Sequence, residues 1–421
     1  MQSSIKLRLT VMNFLQFAVW GAYLTSMGRY LGTAGFGSEI GNFYAMQGLV
    51  SLFMPALMGI VADRWIPAQR LLGVCHMLAG MLMLGVFLYT QTDTPSYPTL
   101  FALYSLSVAF YMPTLALSNS VAYTSLDQAG LDLVKSFPPI RVFGTVGFIC
   151  TMIAVSLLGL EATSGQFAVS AIISLVLAVY AQTLPNCPTA PKGQSKSLVE
   201  ALGLRAFVLF KQRKMALFFI FSMLLGVSLQ ITNGFANPFI STFGEIPAYA
   251  DTFGVKYANI LISLSQLSET LCILLIPFAL RRFGIRRVML IAMVACVLRF
   301  ALLGLGNPGS GVWLFLLSMI VYGVAFDFFN VSGSLFVDKE TDPSIRSSAQ
   351  GLFMIMTNGI GATLGSLGAQ AVINHFVYSE HDTTAILAGW SMSWYVFAAY
   401  AAVVAVLFAL LFRYNTVTEA K

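Results

Sequence analysis

The stretch PNCPTAPKGQSKSLVEALGLRAFVLFKQRK, residues 185–214, is the one long polar interruption in an otherwise apolar chain. Its first part is rich in proline, glycine and serine, which punctuate regular structure. Its second part, LVEALGLRAFVLF, has a helical period and suits a segment lying along a membrane surface. A bilayer-crossing helix needs about 20 mostly apolar residues. Runs of that kind precede the interruption at 7–31, 40–62, 71–90, 98–124, 137–160 and 166–184, and follow it at 215–242, 257–280, 288–305, 312–337, 347–374 and 390–412. The division is six and six. It predicts an all-α membrane protein of twelve transmembrane helices, with an N-terminal half at 1–184, a cytoplasmic central loop at 185–214 and a C-terminal half at 215–421.

Composition supports this class. Hydrophobic residues make up 57% of the 421 and charged residues 10%, against about 25% charged in a soluble domain. Such a chain cannot cover a water-facing surface, and its principal surroundings are the lipid bilayer. The net charge of +6 reflects loop bias, because no basic face with interleaved aromatics suggests nucleic acid. The five cysteines (Cys75, Cys150, Cys187, Cys272, Cys296) and three histidines (His76, His375, His381) show no metal or disulfide spacing, so neither metal nor cofactor is expected. The start has a basic flank and a long apolar run without a cleavage pattern, and reads as a retained first helix.

Loop charge sets orientation. Lys6, Arg8, Arg64, Arg70, Lys135, Arg281, Arg282, Arg286, Arg287, Lys339, Arg346 and Arg413 fall on one side, joined by Lys192, Lys196, Arg205, Lys211, Arg213 and Lys214 of the central loop. The other side holds little beyond Arg29 and Lys256. Both termini are therefore expected in the cytoplasm. The halves also echo one another: PALMGIVADRWIPAQR (55–70) and PFALRRFGIRR (277–287) each pair a proline near a span's end with a short basic turn. Such duplication is typical of transporters. Glycine-rich GIGATLGSLGAQ (359–370) suits close helix contact in lipid.

Ionisable residues inside spans are expensive and point to function. Among the acids only Glu269 and Asp327 sit deep in a span, and among the bases Arg141 and Arg299 do. In PPIRVFGTVGF, Arg141, Thr145 and Phe148 share a helix face at i, i+4 and i+7. Gln230 and Asn233, and Gln266 and Glu269, stand at i, i+3; Tyr322 and Phe326 stand at i, i+4 beside Asp327. Together these groups can hydrogen-bond and stack a flat polar heterocycle carrying a sugar. Polar groups also act as interhelical glue, the reading favoured for Gln47, Asn119 and Asn358. Arg299, isolated on ACVLRFALL, reads as structural, either snorkelling or pairing across the interior.

Two resemblances follow from these residues. GIVADRWIPAQR (59–70) is similar to the loop signature of the major facilitator superfamily, matching at Gly59, Asp63, Arg64 and Arg70 but lacking the usual glycine after Asp-Arg. In that superfamily the loop latches one half against the other. The stretches FLQFAVWGAYLTSMG, MPALMGIVADRW, FPPIRVFGTVGFI, FFIFSMLLGVSLQITN, SQLSETLCILLIPF, LSMIVYGVAFDFFNVSGS and SSAQGLFMIMTNGIG resemble the bacterial nucleoside–proton symporter family of that superfamily over nearly the whole chain. Residues 115–148 are nearest its xanthosine-carrying members. The resemblance implies the major facilitator fold and proton-coupled nucleoside uptake by a monomer in the bacterial inner membrane. It implies a nucleoside site at Arg141, Thr145, Phe148, Gln230, Asn233, Gln266, Glu269, Tyr322 and Phe326, with Asp327 in proton coupling.

Burial in an apolar surround disfavours a charged carboxylate, so Asp327, flanked by Phe326, Phe328 and Phe329, is suited to carrying a proton. On this reading Arg141 stabilises the acid once the proton has left, Glu269 accepts bonds from ribose hydroxyls, and Phe148, Tyr322 and Phe326 stack on base or sugar. Two alternatives stay open: a sugar–cation symporter on the same fold, and a membrane receptor that binds a nucleoside without moving it. An exporter of varied drugs fits less well, and no catalytic constellation or phosphate-binding loop suggests an enzyme.

Overall fold

The computed structural model describes residues 2–189, 198–201 and 204–414, and the regular structure among them is entirely helical. Residues 190–197 of the central loop, with Lys192 and Lys196, lie outside the described residues. Among those described, nine helices are long and apolar enough to cross a bilayer, and Gly165–Ala181, at 17 residues, is apolar but shorter.

One of the nine, Ala258–Leu305, has 48 residues. Drawn straight it would measure about 72 Å, over twice the roughly 30 Å of bilayer hydrocarbon. It breaks at Gly284, whose φ of 76° and ψ of 164° are open to glycine alone. From the first arm Ser268 Oγ donates to the Ile320 carbonyl, and Ser318 Oγ donates to the Arg299 carbonyl of the second arm at 3.0 Å. Residues 268 and 299 would stand about 46 Å apart in a straight helix. Both instead meet one turn of the helix Val312–Glu340, so the arms fold back alongside each other. The reversal falls in PFALRRFGIRR, where the sequence predicts a turn.

The predicted span 40–62 is two helices, Ile40–Ser51 and Met54–Arg64. Pro55 lacks an N–H, and its ring would crowd the carbonyl four residues back at Ser51, where the first helix ends. The described chain forms two compact units, one of Met1–Phe36 with Leu49–Leu202 and one of Gly37–Gly48 with Gly203–Lys421.

In the first unit the helix Gln2–Gly21 lies against Leu133–Leu157 with almost no side chain between them. A Cβ at Gly147 would come 2.2 Å from the Phe14 carbonyl oxygen, and one at Gly21 would come 2.4 Å from that of Phe148. An apolar cluster including Leu9, Met12, Leu72, Cys75, Val121 and Leu177 fills one region. Beside it runs a buried polar network: the His76 ring bridges Ser174 Oγ at 3.0 Å and Gln16 Oε1 at 2.8 Å, and Gln16 Nε2 donates to Thr114 Oγ1 at 2.7 Å. Buried Glu161 pairs with Arg29 at 3.3 Å and accepts from Ser156.

The second unit uses the same close approach. A Cβ at Gly226 of the helix Arg213–Thr242 would lie 2.3 Å from the Thr357 carbonyl oxygen; at Gly365, 2.3 Å from that of Val227. Thr357 belongs to a wide π-helical segment, Ile355–Gly361, within the predicted span 347–374. Of the glycines of GIGATLGSLGAQ, Gly361 and Gly365 make the close approach predicted, a Cβ at Gly361 meeting the Met223 carbonyl oxygen at 2.6 Å, whereas Gly368 has open space around it. Gly37–Gly48 docks on the helix Ala362–Phe376, where Gln370 Oε1 accepts from the Gly41 amide at 2.5 Å and its Nε2 donates to the Gly37 carbonyl at 3.1 Å.

Several basic residues read as orientation signals also have partners here. Arg286 donates to the Phe412 and Ala409 carbonyls at 2.6 and 2.7 Å, satisfying orphan carbonyls at the end of the helix Thr383–Leu411. Lys214 pairs with Glu340, and Arg346 with Asp338 at 3.2 Å. Of the expected surface segment in the central loop, Leu204–Lys211 is a 3₁₀ helix that buries Ala206 and Leu209 and exposes Leu204, Phe207 and Val208.

Three stability outcomes follow. Gly226→Val should cost about 1–3 kcal/mol through overpacking, read as a lower thermal midpoint of the purified protein. Gly351→Ala, at a glycine inside the helix Arg346–Met354 with open space around it, should hold or slightly raise the midpoint, since alanine favours a helix over glycine by about 0.5–1 kcal/mol. Arg286→Gln should cost about 1.5–3 kcal/mol, the range for hydrogen bonds to charged groups, and a native midpoint would contradict the capping role.

Candidate functional site

The site residues predicted from sequence fall in both units, and each group is described within its own unit. In the first, Arg141, Thr145 and Phe148 follow one face of the helix Leu133–Leu157. The Arg141 guanidinium lies over the Phe17 ring, 4.1 Å from its centroid. A cation over an aromatic face gains about 0.5–1 kcal/mol when exposed and about 2 or more when desolvated. Gly144 makes this contact possible, since a Cβ there would meet the Phe17 ring at 2.6 Å. Phe148 is buried, with Trp20 set edge-on to it at 6.3 Å between ring centroids, and Trp20 also meets Tyr111 at 6.0 Å.

Phe17 and Trp20 thus stand around the predicted residues but were not among them. The signal was present, since in FLQFAVWG they occupy i and i+3 and project together from the first helix. Apolar aromatics in a span are ordinary lipid-facing or packing residues, which hid them.

In the second unit the helices Arg213–Thr242, Ala258–Leu305 and Val312–Glu340 carry the remaining groups. Asn233 Nδ2 donates to Gln230 Oε1 at 2.9 Å, so the two amides at i, i+3 are already paired. Gln266 and Glu269 are partly buried on the first arm of Ala258–Leu305. That arm sits against the helix bearing Tyr322 because Gly323 has no side chain: a Cβ there would meet the Ser268 carbonyl oxygen at 2.5 Å. Tyr322 and Phe326 stack, their centroids 5.6 Å apart and planes 25° from parallel, as their i, i+4 spacing predicts.

Asp327 follows directly. It is 5% exposed, and its Oδ2 has no hydrogen-bond partner. Glu269 is near enough to act on it electrostatically, as one carboxylate on another. A buried carboxylate with an unsatisfied oxygen is costly as an anion, and a second acid nearby adds to that cost.

Arg299 does not snorkel. It is 4% exposed, donates from Nη2 to Thr232 Oγ1 at 2.7 Å, and lies over the Tyr322 ring at 4.1 Å from the centroid. The sequence reading had left it structural, because its partners come from two other helices. Of the residues resembling the superfamily loop, Asp63 and Arg64 end the helix Met54–Arg64, Gly59 has open space around it, and the neighbouring Trp65 is largely exposed.

Known proteins resemble the chain along its whole length. It matches the family described as nucleoside H+ symporter over residues 3–417. It is 50% identical to the xanthosine permease of Escherichia coli strain K12, covering 98% of this chain and 97% of that one. It is 46% identical to the nucleoside permease NupG of the same organism, again covering 98% and 97%. A crystal structure of the nucleoside transporter NupG superposes with a TM-score of 0.89 at 45% identity, over 98% of this chain and 100% of that one. An autoinhibited peptide transporter of the POT family, 16% identical with a TM-score of 0.71, shares the fold alone. With the family matched end to end and permeases at half identity over the same length, the chain is a multi-pass integral membrane protein that belongs to the nucleoside–proton symporter family.

Proposed function

We propose that the protein moves nucleosides, xanthosine among the candidates, into the cell together with protons across the bacterial inner membrane, by alternating access. The observation that carries the reading is Asp327: in a chain of this family it is buried beside a stacked Tyr322–Phe326 pair, with a carboxylate oxygen left without a partner. On this reading it loads a proton while the site is open to the outside and releases it to the cytoplasm. At 100 mV one charge moved across the membrane contributes about 2.3 kcal/mol, enough for one proton to concentrate substrate roughly fiftyfold on that term.

The other groups take roles that suit their chemistry. Arg141, Thr145, Gln230, Asn233, Gln266 and Glu269 supply hydrogen bonds to base and sugar. Phe148, Tyr322 and Phe326 supply flat apolar faces. Asp63 and Arg64, at the end of the helix Met54–Arg64, and Gly59 one turn earlier take the gating role, leading into the turn that follows rather than forming a loop themselves. Twelve transmembrane helices in two halves, 1–184 and 215–421 joined by 185–214, are the arrangement we infer, with both termini cytoplasmic and the transporter a monomer. Support comes from the nine long apolar helices, the shorter Gly165–Ala181, the amphipathic start Gln2–Gly21, and the two arms within Ala258–Leu305. The basic residues of the presumed cytoplasmic loops support the orientation.

Uptake of labelled nucleosides in cells lacking other nucleoside carriers tests the reading, with unlabelled xanthosine and simple sugars as competitors. The native protein should accumulate nucleoside above the external concentration, and a protonophore should abolish this. Competition by sugars and not nucleosides would sink the assignment. Asp327→Asn should still bind and equilibrate nucleoside but lose accumulation. If it still concentrates substrate in a protonophore-sensitive way, the coupling role is wrong. Glu269→Gln replaces a charged acceptor by a neutral one and should raise KM by about 10- to 100-fold, the effect of losing a hydrogen bond to a charged group.

A further inference from the structure

Arg299 is unlike every other basic residue described in the second unit. Arg286, Lys214 and Arg346 reach carbonyls or carboxylates near helix ends, whereas Arg299 lies on the inner arm of Ala258–Leu305 and is 4% exposed. Among the described residues no carboxylate stands within 4.0 Å of it, and its Nε and Nη1 have no hydrogen-bond partner. A buried cation left this way is expensive, so what compensates it matters. The compensation is a π face: the guanidinium carbon sits 4.1 Å from the Tyr322 ring centroid. A planar guanidinium both attracts and stacks on such a ring, which an ammonium does not do equally well.

The contact has two ends. One is fixed on the helix bearing Gln230 and Asn233, because Nη2 donates to Thr232 Oγ1 at 2.7 Å and Thr232 immediately precedes Asn233. The other is the aromatic pair, because the Tyr322 ring that lies under Arg299 is the ring stacked on Phe326 at 5.6 Å. The backbone is held as well, Ser318 Oγ donating to the Arg299 carbonyl at 3.0 Å. Tyr322 thus meets both a guanidinium and a phenyl ring, with Arg299 supplied by a different helix and anchored on a third.

We propose that Arg299 is a positioning residue for nucleoside binding: it fixes the plane of Tyr322, and through it the Tyr322–Phe326 stack, relative to the Gln230–Asn233 amides. The proposal rests on the nucleoside reading above. Removing the guanidinium frees the tyrosine ring to rotate, so stacking on a base is weakened while the transport cycle itself is intact. A purely structural arginine would lower abundance or thermal stability and leave affinity alone.

The test is nucleoside binding by calorimetry on the purified protein, with uptake kinetics normalised to transporter in the membrane. Arg299→Gln should raise Kd and KM about tenfold, equivalent to about 1.4 kcal/mol, with maximal rate per transporter within about twofold of native. Arg299→Lys keeps a cation over the ring and should recover affinity to within about threefold of native. Thr232→Val, which removes the anchoring hydroxyl, should weaken binding by about threefold. The Arg299→Gln and Tyr322→Leu changes should not add: the double variant should bind no more weakly than Tyr322→Leu alone. Additive losses overturn the proposal, as does an unshifted Kd in Arg299→Gln; if that variant does not reach the membrane, an unshifted Kd in Thr232→Val does the same. A native protein that binds no nucleoside would instead overturn the nucleoside reading and this proposal with it, whereas native binding with unshifted variants removes this one alone.

Discussion

Helices in lipid gain little by hiding apolar surface from a solvent as apolar as themselves, so they associate through fit. In this protein the fit is backbone against backbone at glycine. Gly21 and Gly147 join the first helix to Leu133–Leu157, and Gly226 and Gly365 join Arg213–Thr242 to the segment around Thr357. The chemistry hangs on the same contacts. Gly21 rests on the backbone of Phe148, Gly144 makes room for Phe17 under Arg141, and Gly323 lets the arm bearing Glu269 approach the turn bearing Tyr322. A methyl group at any of these would push a site residue away from its neighbours before it disturbed the rest of the fold.

Buried polar groups divide by how completely they are answered. Glu161 has Arg29 and Ser156; His76 has Ser174 and Gln16; Arg286 has two carbonyls. These sets are closed and hold structure. Asp327 keeps an oxygen without a partner, and Arg299 keeps two nitrogens without one. Low dielectric makes such gaps costly, and both lie next to the Tyr322–Phe326 stack. These two groups and the aromatic pair occupy one region of the second unit, although buried polar atoms without a partner occur elsewhere too, at Asn13 and Asn119 of the first unit.

Much of this was legible in the sequence, because helical periodicity is local. The pairing of Gln230 with Asn233, the stack of Tyr322 on Phe326 and the reversal within PFALRRFGIRR all follow from spacings of three, four or a single glycine. The glycines of 359–370 predicted close approach, although not the π-helical segment that ends among them. What escaped was contact between helices. Arg299 looked isolated because Thr232 lies 67 residues away, and Phe17 is separated from Arg141 by five intervening α-helices. The break after Ser51 was available from Pro55 but was outweighed by an unbroken apolar run.

The bond between Asn233 and Gln230 has a consequence of its own. A pocket whose amides face empty space punishes any guest that fails to satisfy them, because the unmet groups stay buried. Amides that already satisfy each other have a fallback. A guest able to offer better partners can open the bond, and one that cannot leaves it closed with little lost. In the nucleoside site we propose, such a pair would discriminate only mildly among bases.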